Sequence, residues 1–153
     1  LIKFTGVQRR MTKIFEKNKN EFYDDYAHHP TEIYSVLEGI KKVANKKKIT
    51  SVFQPHRFSR VNLLKTEFSR SFKFSNRVIL CPIYAAGEKL NNNFDLLKFG
   101  RMISMNSSVE VIIIKNEKEF KNFLKKNMIK NEIIIGMGAG SISNWMRNLK
   151  QSL

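Results

Sequence analysis

The chain of 153 residues holds only three histidines, three prolines and three aspartates, and most of them fall in two short segments. The first is Asp24-Asp25-Tyr26-Ala27-His28-His29-Pro30-Thr31-Glu32. Carboxylates such as Asp24 and Asp25 can hold a magnesium ion through oxygen or water, or accept ribose hydroxyls, and histidine can orient a polar substrate or a phosphate. The same residues could instead make a polar turn whose Asp and His cap the next helix. Their concentration in one place favours the functional reading. The second segment is Gln54-Pro55-His56-Arg57-Phe58-Ser59-Arg60. Arg57 and Arg60, three apart where a helix opens, can project to one side and clamp a carboxylate or a phosphate. Two merely solvated arginines are the alternative, but positive charge at the positive end of a helix is locally unfavourable.

Two further segments, Tyr84-Ala85-Ala86-Gly87-Glu88 and Gly136-Met137-Gly138-Ala139-Gly140-Ser141, share the same setting. The glycines could bring backbone close to a phosphate, as in a dinucleotide-binding turn. They follow the last strand pattern, however, and no further strand with an acidic ribose partner comes after them. A structural turn bordering the site is therefore favoured over an independent cofactor loop.

The elements that must position these residues can be read from apolar periodicity. Lys13 to Glu16 and Glu21 to Asp24 flank a polar Lys17-Asn18-Lys19-Asn20, which reads as a β-hairpin. Short runs rich in Val and Ile occur at Thr50 to Phe53, Val78 to Ile83, Val109 to Ile114 and Glu132 to Ile135. Their lack of polar alternation suits strands covered on both faces, as in a parallel sheet. Between them run helical stripes: Ile33, Leu37, Ile40 and Ala44; Val61, Leu64, Phe68 and Phe72; Phe120, Phe123 and Leu124; Ile142, Trp145, Met146 and Leu149. A further helix is expected around Phe94 to Ile103. The expected fold is α/β: a mainly parallel, Rossmann-like sheet flanked by helices, with an N-terminal β-hairpin. Such a sheet puts its ligand site beyond the carboxyl ends of its strands, which is where the scarce residues lie.

Composition bounds the rest. A chain with 42% hydrophobic residues is one domain's worth, residues 1–153. The lone Cys81, inside an apolar run, reads as packing and cannot make an internal disulfide, so a reducing cytoplasm is the expected compartment. No apolar run approaches the ~20 residues of a membrane span, and the N-terminus lacks the regions of a secretory signal. Neither a metal site nor a membrane partner is expected. The formal net charge of +15 suggests a basic nucleotide- or RNA-binding module. Yet the lysines are scattered and accompany many Asn, Ile and Phe residues, as an AT-rich coding sequence would produce. No DNA- or RNA-binding motif accompanies them, so a nucleic-acid partner is not expected.

The segments Gly6-Val7-Gln8-Arg9-Arg10, Asp24 to Glu32, Gln54 to Arg60, Tyr84 to Glu88 and Gly136 to Ile142, in this order and spacing, resemble the C-terminal domain of the Mur ligases. The resemblance covers nearly the whole chain and is closest to the branch that joins L-alanine to UDP-N-acetylmuramate. The murein peptide ligases share the aspartate-histidine motif but usually differ at His56-Arg57-Phe58-Ser59-Arg60, and they form the second reading. The family implies three domains: one for the UDP-sugar, a central one with a phosphate-binding loop for ATP and most of the Mg2+ contacts, and a third that closes over both. This chain opens on Leu1 and contains no Gly-x-x-x-x-Gly-Lys-Ser/Thr loop. The third domain alone is expected, inactive by itself, with the other two as its partners.

The resemblance further implies a reaction of peptidoglycan precursor synthesis. ATP phosphorylates the lactyl carboxylate of UDP-N-acetylmuramate, the amine of L-alanine attacks the acyl phosphate, and phosphate leaves. Arg10 matches an arginine that approaches the nucleotide phosphates, and Asp25 the acidic residue of an Asp-Tyr-x-His-x-Pro motif that positions the nucleotide. Arg10, Asp25 and His28 are thereby the expected catalytic residues. Tyr26, His28, Arg57 and Arg60 match positions lining the amino-acid end, with His56 in support and the two arginines on the carboxylate. The stretch between Arg10 and Asp24 is short, which implies a compressed hairpin. This reading expects the strand tips to gather Asp25, His28, Arg57 and Arg60 around a common hollow.

Overall fold

A computed structural model describes residues 10–91 and 93–153; Gly6 to Arg9 of the quoted motif lie outside them. Strands β1 (Thr12–Lys17) and β2 (Asn20–Asp25) pair antiparallel around Asn18 and Lys19. Both turn residues have positive φ, 54° and 66°, the backbone a two-residue hairpin needs to match strand twist. Phe15 and Phe22 stack across the pair with ring centroids 4.1 Å apart.

After the hairpin, helices and parallel strands alternate: α1 (Pro30–Val43), β3 (Lys48–Phe53), α2 (Phe58–Leu63), α3 (Lys65–Ser69), β4 (Arg77–Leu80), α4 (Leu96–Ser107), β5 (Glu110–Ile113), α5 (Glu117–Asn127), β6 (Glu132–Met137) and α6 (Ile142–Ser152). The sheet order is β1-β2-β6-β3-β4-β5. Every pairing except the hairpin is parallel, so the expected α/β architecture is the observed one. The last strand inserts between β2 and β3 and is buried along its whole length.

Strand alternation divides the core between two faces. Ile49, Phe53, Val78, Leu80, Ile133 and Ile135 meet the apolar stripes of α1 to α4. Phe22, Val52, Ile79 and Ile134 meet α5 and α6. Each fully buried Leu, Ile or Phe contributes on the order of 1.5–3 kcal/mol of apolar transfer. The central strands β3, β4 and β6 are covered on both sides, whereas the edges β1 and β5 are only partly buried.

Three local readings are corrected. The Val61, Leu64, Phe68 and Phe72 stripe is not one helix: the backbone leaves helical geometry at Leu64 (φ −116°, ψ 22°), and Phe72 packs from beyond α3. Strand β4 ends at Leu80, so Cys81 lies just past it, buried and still donating its N–H to Phe53. Burial pushes its thiol well above the usual range, in keeping with a packing role. The helix expected from Phe94 starts at Leu96, because Asp95 caps it through a bond from the Lys98 N–H.

Candidate functional site

Four strands end side by side, and the loops that leave them form the site. At the end of β2, the two aspartates part company because neighbouring residues of a strand face opposite sides. Asp24, fully buried, turns toward α6, accepts a 2.6 Å bond from the Ser143 hydroxyl and lies 3.5 Å from Arg147. Asp25 turns toward α1 and accepts the N–H groups of Met11 at 2.8 Å and Ala27 at 2.7 Å. Burial raises its carboxyl above the ordinary value despite those two amides and the charge of Arg10. Arg10, Asp25, Tyr26, Thr31, Glu32 and Ser35 line a hollow of ≈ 270 Å³.

The start of α1 is fixed by its own sequence. Pro30 occupies the first helical turn, His29 accepts the Thr31 N–H, and Glu32 accepts the N–H groups of both His28 and His29. Partial burial pushes Glu32 up, but the two amides and the neighbouring imidazoles outweigh it and hold the carboxyl below its ordinary value. Next to this cap runs a contact chain of rings. Tyr26 meets His28 edge-on at 5.0 Å, His28 meets His56 at 5.7 Å, and His56 stacks on Tyr84 at 5.7 Å. Arg60 reaches Nδ1 of His56 at 3.1 Å. Burial, then the charges of Arg60, His28 and Arg57, hold the His56 imidazole below its ordinary value.

The loops after β3 and β4 are tied to each other by backbone. Arg57 N–H donates to Tyr84 O, and Tyr84 N–H donates to Pro55 O, both at 2.8 Å. Arg57 itself is exposed and takes a positive φ of 68°. The unfavourable charge at the start of α2 has an answer here: Glu88 accepts the Ser59 hydroxyl and N–H. Those bonds, with the charge of Arg57, hold the Glu88 carboxyl below its ordinary value.

The glycine turn after β6 packs against the same loops. A side chain at Gly140 would sit 2.5 Å from Cγ of Tyr84 and 2.7 Å from Oε1 of Gln54. The first amide of α6, Ile142 N–H, is already bound to Gln54 Oε1 at 3.0 Å, and Gln54 Nε2 donates to the Ser141 hydroxyl at 2.9 Å. This favours the turn as a border of the site over a phosphate loop. Rather than surrounding one hollow, the expected residues fall into two adjoining groups. Arg10 and Asp25 share the α1-side hollow; His28, His56 and Arg60 form the contact chain; Tyr26 belongs to both; Arg57 lies at the edge of the chain.

Residues 9–140 match the family described as Mur ligase, glutamate ligase domain. The chain belongs to the Mur ligase family. A UDP-N-acetylmuramate–L-alanine ligase of Pelagibacter ubique is 47% identical over 151 residues, 99% of this chain and 32% of that protein. One from a Hydrogenobaculum species is 42% identical over 93% of this chain and 30% of its own length. Among solved structures, a UDP-N-acetylmuramate-alanine ligase of Thermotoga maritima has a TM-score of 0.74 at 23% identity, over 94% of this chain and 29% of that one. A murein peptide ligase of Psychrobacter arcticus has a TM-score of 0.75 at 16% identity, over 95% and 30%. At those identities the structural likeness speaks to the fold alone. The chain spans about a third of the length of the curated relatives it matches.

Within this Mur ligase domain, sequence reasoning quoted Gln54, Tyr84 and Glu88 but gave them no task. Each acts through a partner in another loop, and nothing in local spacing pairs residue 54 with residue 141, or 59 with 88. Among the described residues, no helix is long and apolar enough to cross a membrane.

Proposed function

We propose that the chain is the C-terminal, amino-acid-binding domain of an ATP-dependent UDP-N-acetylmuramate:L-alanine ligase, completed by a UDP-sugar-binding and a central ATPase domain. The observation that carries this reading is the 47% identity to such a ligase along 99% of the chain. The fold alone does not separate it from the murein peptide ligases, whose TM-score is nearly the same.

The reading gives each group a task. In the α1-side hollow, Arg10 would hold nucleotide phosphate and Asp25 a nucleotide hydroxyl. Each oxygen of Asp25 already accepts an amide hydrogen and keeps a lone pair, which suits a hydroxyl partner. Mg2+ belongs with the central domain in this reading. When bound, ATP supplies the phosphoryl group that makes the lactyl carboxylate of UDP-N-acetylmuramate electrophilic. This chain's part is to bind and aim the nucleophile: Arg57 and Arg60 take the L-alanine carboxylate, with Tyr26, His28 and His56 as the wall beside it.

Charge-assisted hydrogen bonds contribute about 1.5–3 kcal/mol each. In the complete enzyme, Arg57→Ala should therefore lower kcat/KM for L-alanine by about one to two powers of ten while the protein stays folded. Alanine-dependent phosphate release is the measurement. Unchanged alanine kinetics would count against the assignment, and preference for a peptide over L-alanine would favour the murein peptide ligase reading.

A further inference from the structure

The two histidines of the contact chain carry their hydrogens on opposite nitrogens. A backbone carbonyl can only accept, and Nδ1 of His28 lies 2.9 Å from Tyr26 O. His28 Nδ1 therefore bears hydrogen, and in the neutral ring Nε2 is left with a lone pair. A guanidinium can only donate, and Arg60 Nη1 lies 3.1 Å from Nδ1 of His56. His56 Nδ1 is the acceptor there, so in the neutral ring its Nε2 bears the hydrogen. With the rings 5.7 Å apart, the site presents one proton acceptor and one proton donor beside Arg60, within range of the charge of Arg57. A free amino acid has complementary chemistry: an ammonium that must lose a proton before its nitrogen can attack, and a carboxylate that accepts hydrogen bonds.

We propose that His28 is the base that deprotonates the incoming amine at Nε2, while His56 donates its Nε2–H to the carboxylate of the same amino acid. The proposal rests on the reading of this site as the amino-acid end of the ligase. In the step, one N–H bond of the ammonium breaks and its electron pair stays on nitrogen as the attacking lone pair. The proton forms a new N–H bond at His28 Nε2, giving an imidazolium. Glu32 stands ready to stabilise that cation, 3.6 Å from His28 Nδ1, its carboxylate fixed by the amides of His28 and His29. The other groups facing His28 are the Tyr26 ring and His56, with Arg60 behind it. Burial, then the charges of Arg60, His28 and Arg57, hold the His56 imidazole below its ordinary value, which disfavours a proton there relative to a free imidazole.

Two measurements test this. Nitrogen-15 spectra of the histidine rings in the chain at mildly alkaline pH should show the Nδ1–H tautomer at His28 and the Nε2–H tautomer at His56. An Nε2–H tautomer at His28 would overturn the proposal. In the complete enzyme, His28→Asn should lower kcat at neutral pH by about 10²–10⁴-fold with a smaller change in KM for L-alanine. The deficit should shrink as rising pH deprotonates free alanine, a recovery that an unfolded variant could not show. A normal neutral-pH rate in His28→Asn, or no alkaline recovery, would overturn the proposal. A wild-type enzyme without alanine-dependent phosphate release would instead refute the amino-acid-site reading, and the base role with it, even with both tautomers as assigned.

Discussion

Gln54 is the peg between the glycine turn and the histidine loop, and its removal tests whether the two are mechanically joined. The residue is 3% exposed, and its amide spends both ends on α6: Oε1 on Ile142 N–H and Nε2 on the Ser141 hydroxyl. Gln54→Ala leaves the buried Ile142 N–H without an acceptor, at a cost of about 1–3 kcal/mol, and forfeits a further ~0.5–1.5 kcal/mol with the Ser141 bond. A loss of about 2–4 kcal/mol follows, which for a chain of this length lowers the melting temperature by roughly 5–15 °C. Urea unfolding of the 153-residue chain should show a lower midpoint with an unchanged slope. Because Gly140 presses on Tyr84, the ring resonances of His56 and Tyr84 should shift as well. Gln54→Glu keeps an acceptor for Ile142 and for the Ser141 hydroxyl, so its loss should be smaller. A Gln54→Ala variant within about 0.5 kcal/mol of the parent would refute the reasoning, since an unpaired buried amide cannot be that cheap.

Other expectations concern separate parts of the molecule. Gly140→Ala puts a methyl 2.5 Å from Tyr84 Cγ, so overpacking should cost about 1–3 kcal/mol and shift the His56 ring signals in the complete chain. Glu32 has a folded pKa below its ordinary 4.5, so its contribution is fully present above that value and is lost as pH falls through the folded pKa. The stability gap between the parent and Glu32→Gln, measured by denaturant titration, should accordingly close as the solution is acidified. At the opposite end of the sheet, Arg77 meets Glu132 at 3.0 Å with the carboxylate 1% exposed. Glu132→Ala should destabilise by about 3–5 kcal/mol in the same titration, because it strands a buried guanidinium.

The parts of this structure that were legible in sequence are those in which pattern and packing coincide. Uninterrupted aliphatic runs, Val78-Ile79-Leu80 and Ile133-Ile134-Ile135, mark β4 and β6 because helices cover both their faces, and the stripe on α1 survives because Pro30, His29 and Glu32 settle its start locally. The break at Leu64 was not legible, since Val61, Leu64 and Phe68 keep helical spacing across it and only the backbone reveals two short helices. The pairing of Asp24 with Asp25 as joint candidates overlooked strand alternation, which sends one carboxylate to α6 and the other to α1. The partners Gln54–Ser141 and Ser59–Glu88 were out of reach: they join loops 87 and 29 residues apart.

The insertion of β6 between β2 and β3 explains why the site has two groups rather than one. Asp25 ends β2 and Gln54 follows β3, strands that are not neighbours; Met137 O accepts Gln54 N–H at 3.0 Å, and Gly138 N–H reaches Asp25 O at 3.3 Å. With roughly 4.8 Å between adjacent strands, the β2 and β3 exits stand about 10 Å apart. Neither loop could bridge that distance with a single side chain of aspartate size. The span is closed by the segment after Asp25, which carries Tyr26 and His28 over the end of β6 to meet His56. A nucleotide held at Arg10 and Asp25 and an amino acid held at Arg57 and Arg60 would thus face each other across β6. On the proposed function, the acyl group that must meet both arrives in the gap between them, and His28 is the side chain placed where the amine approaches it.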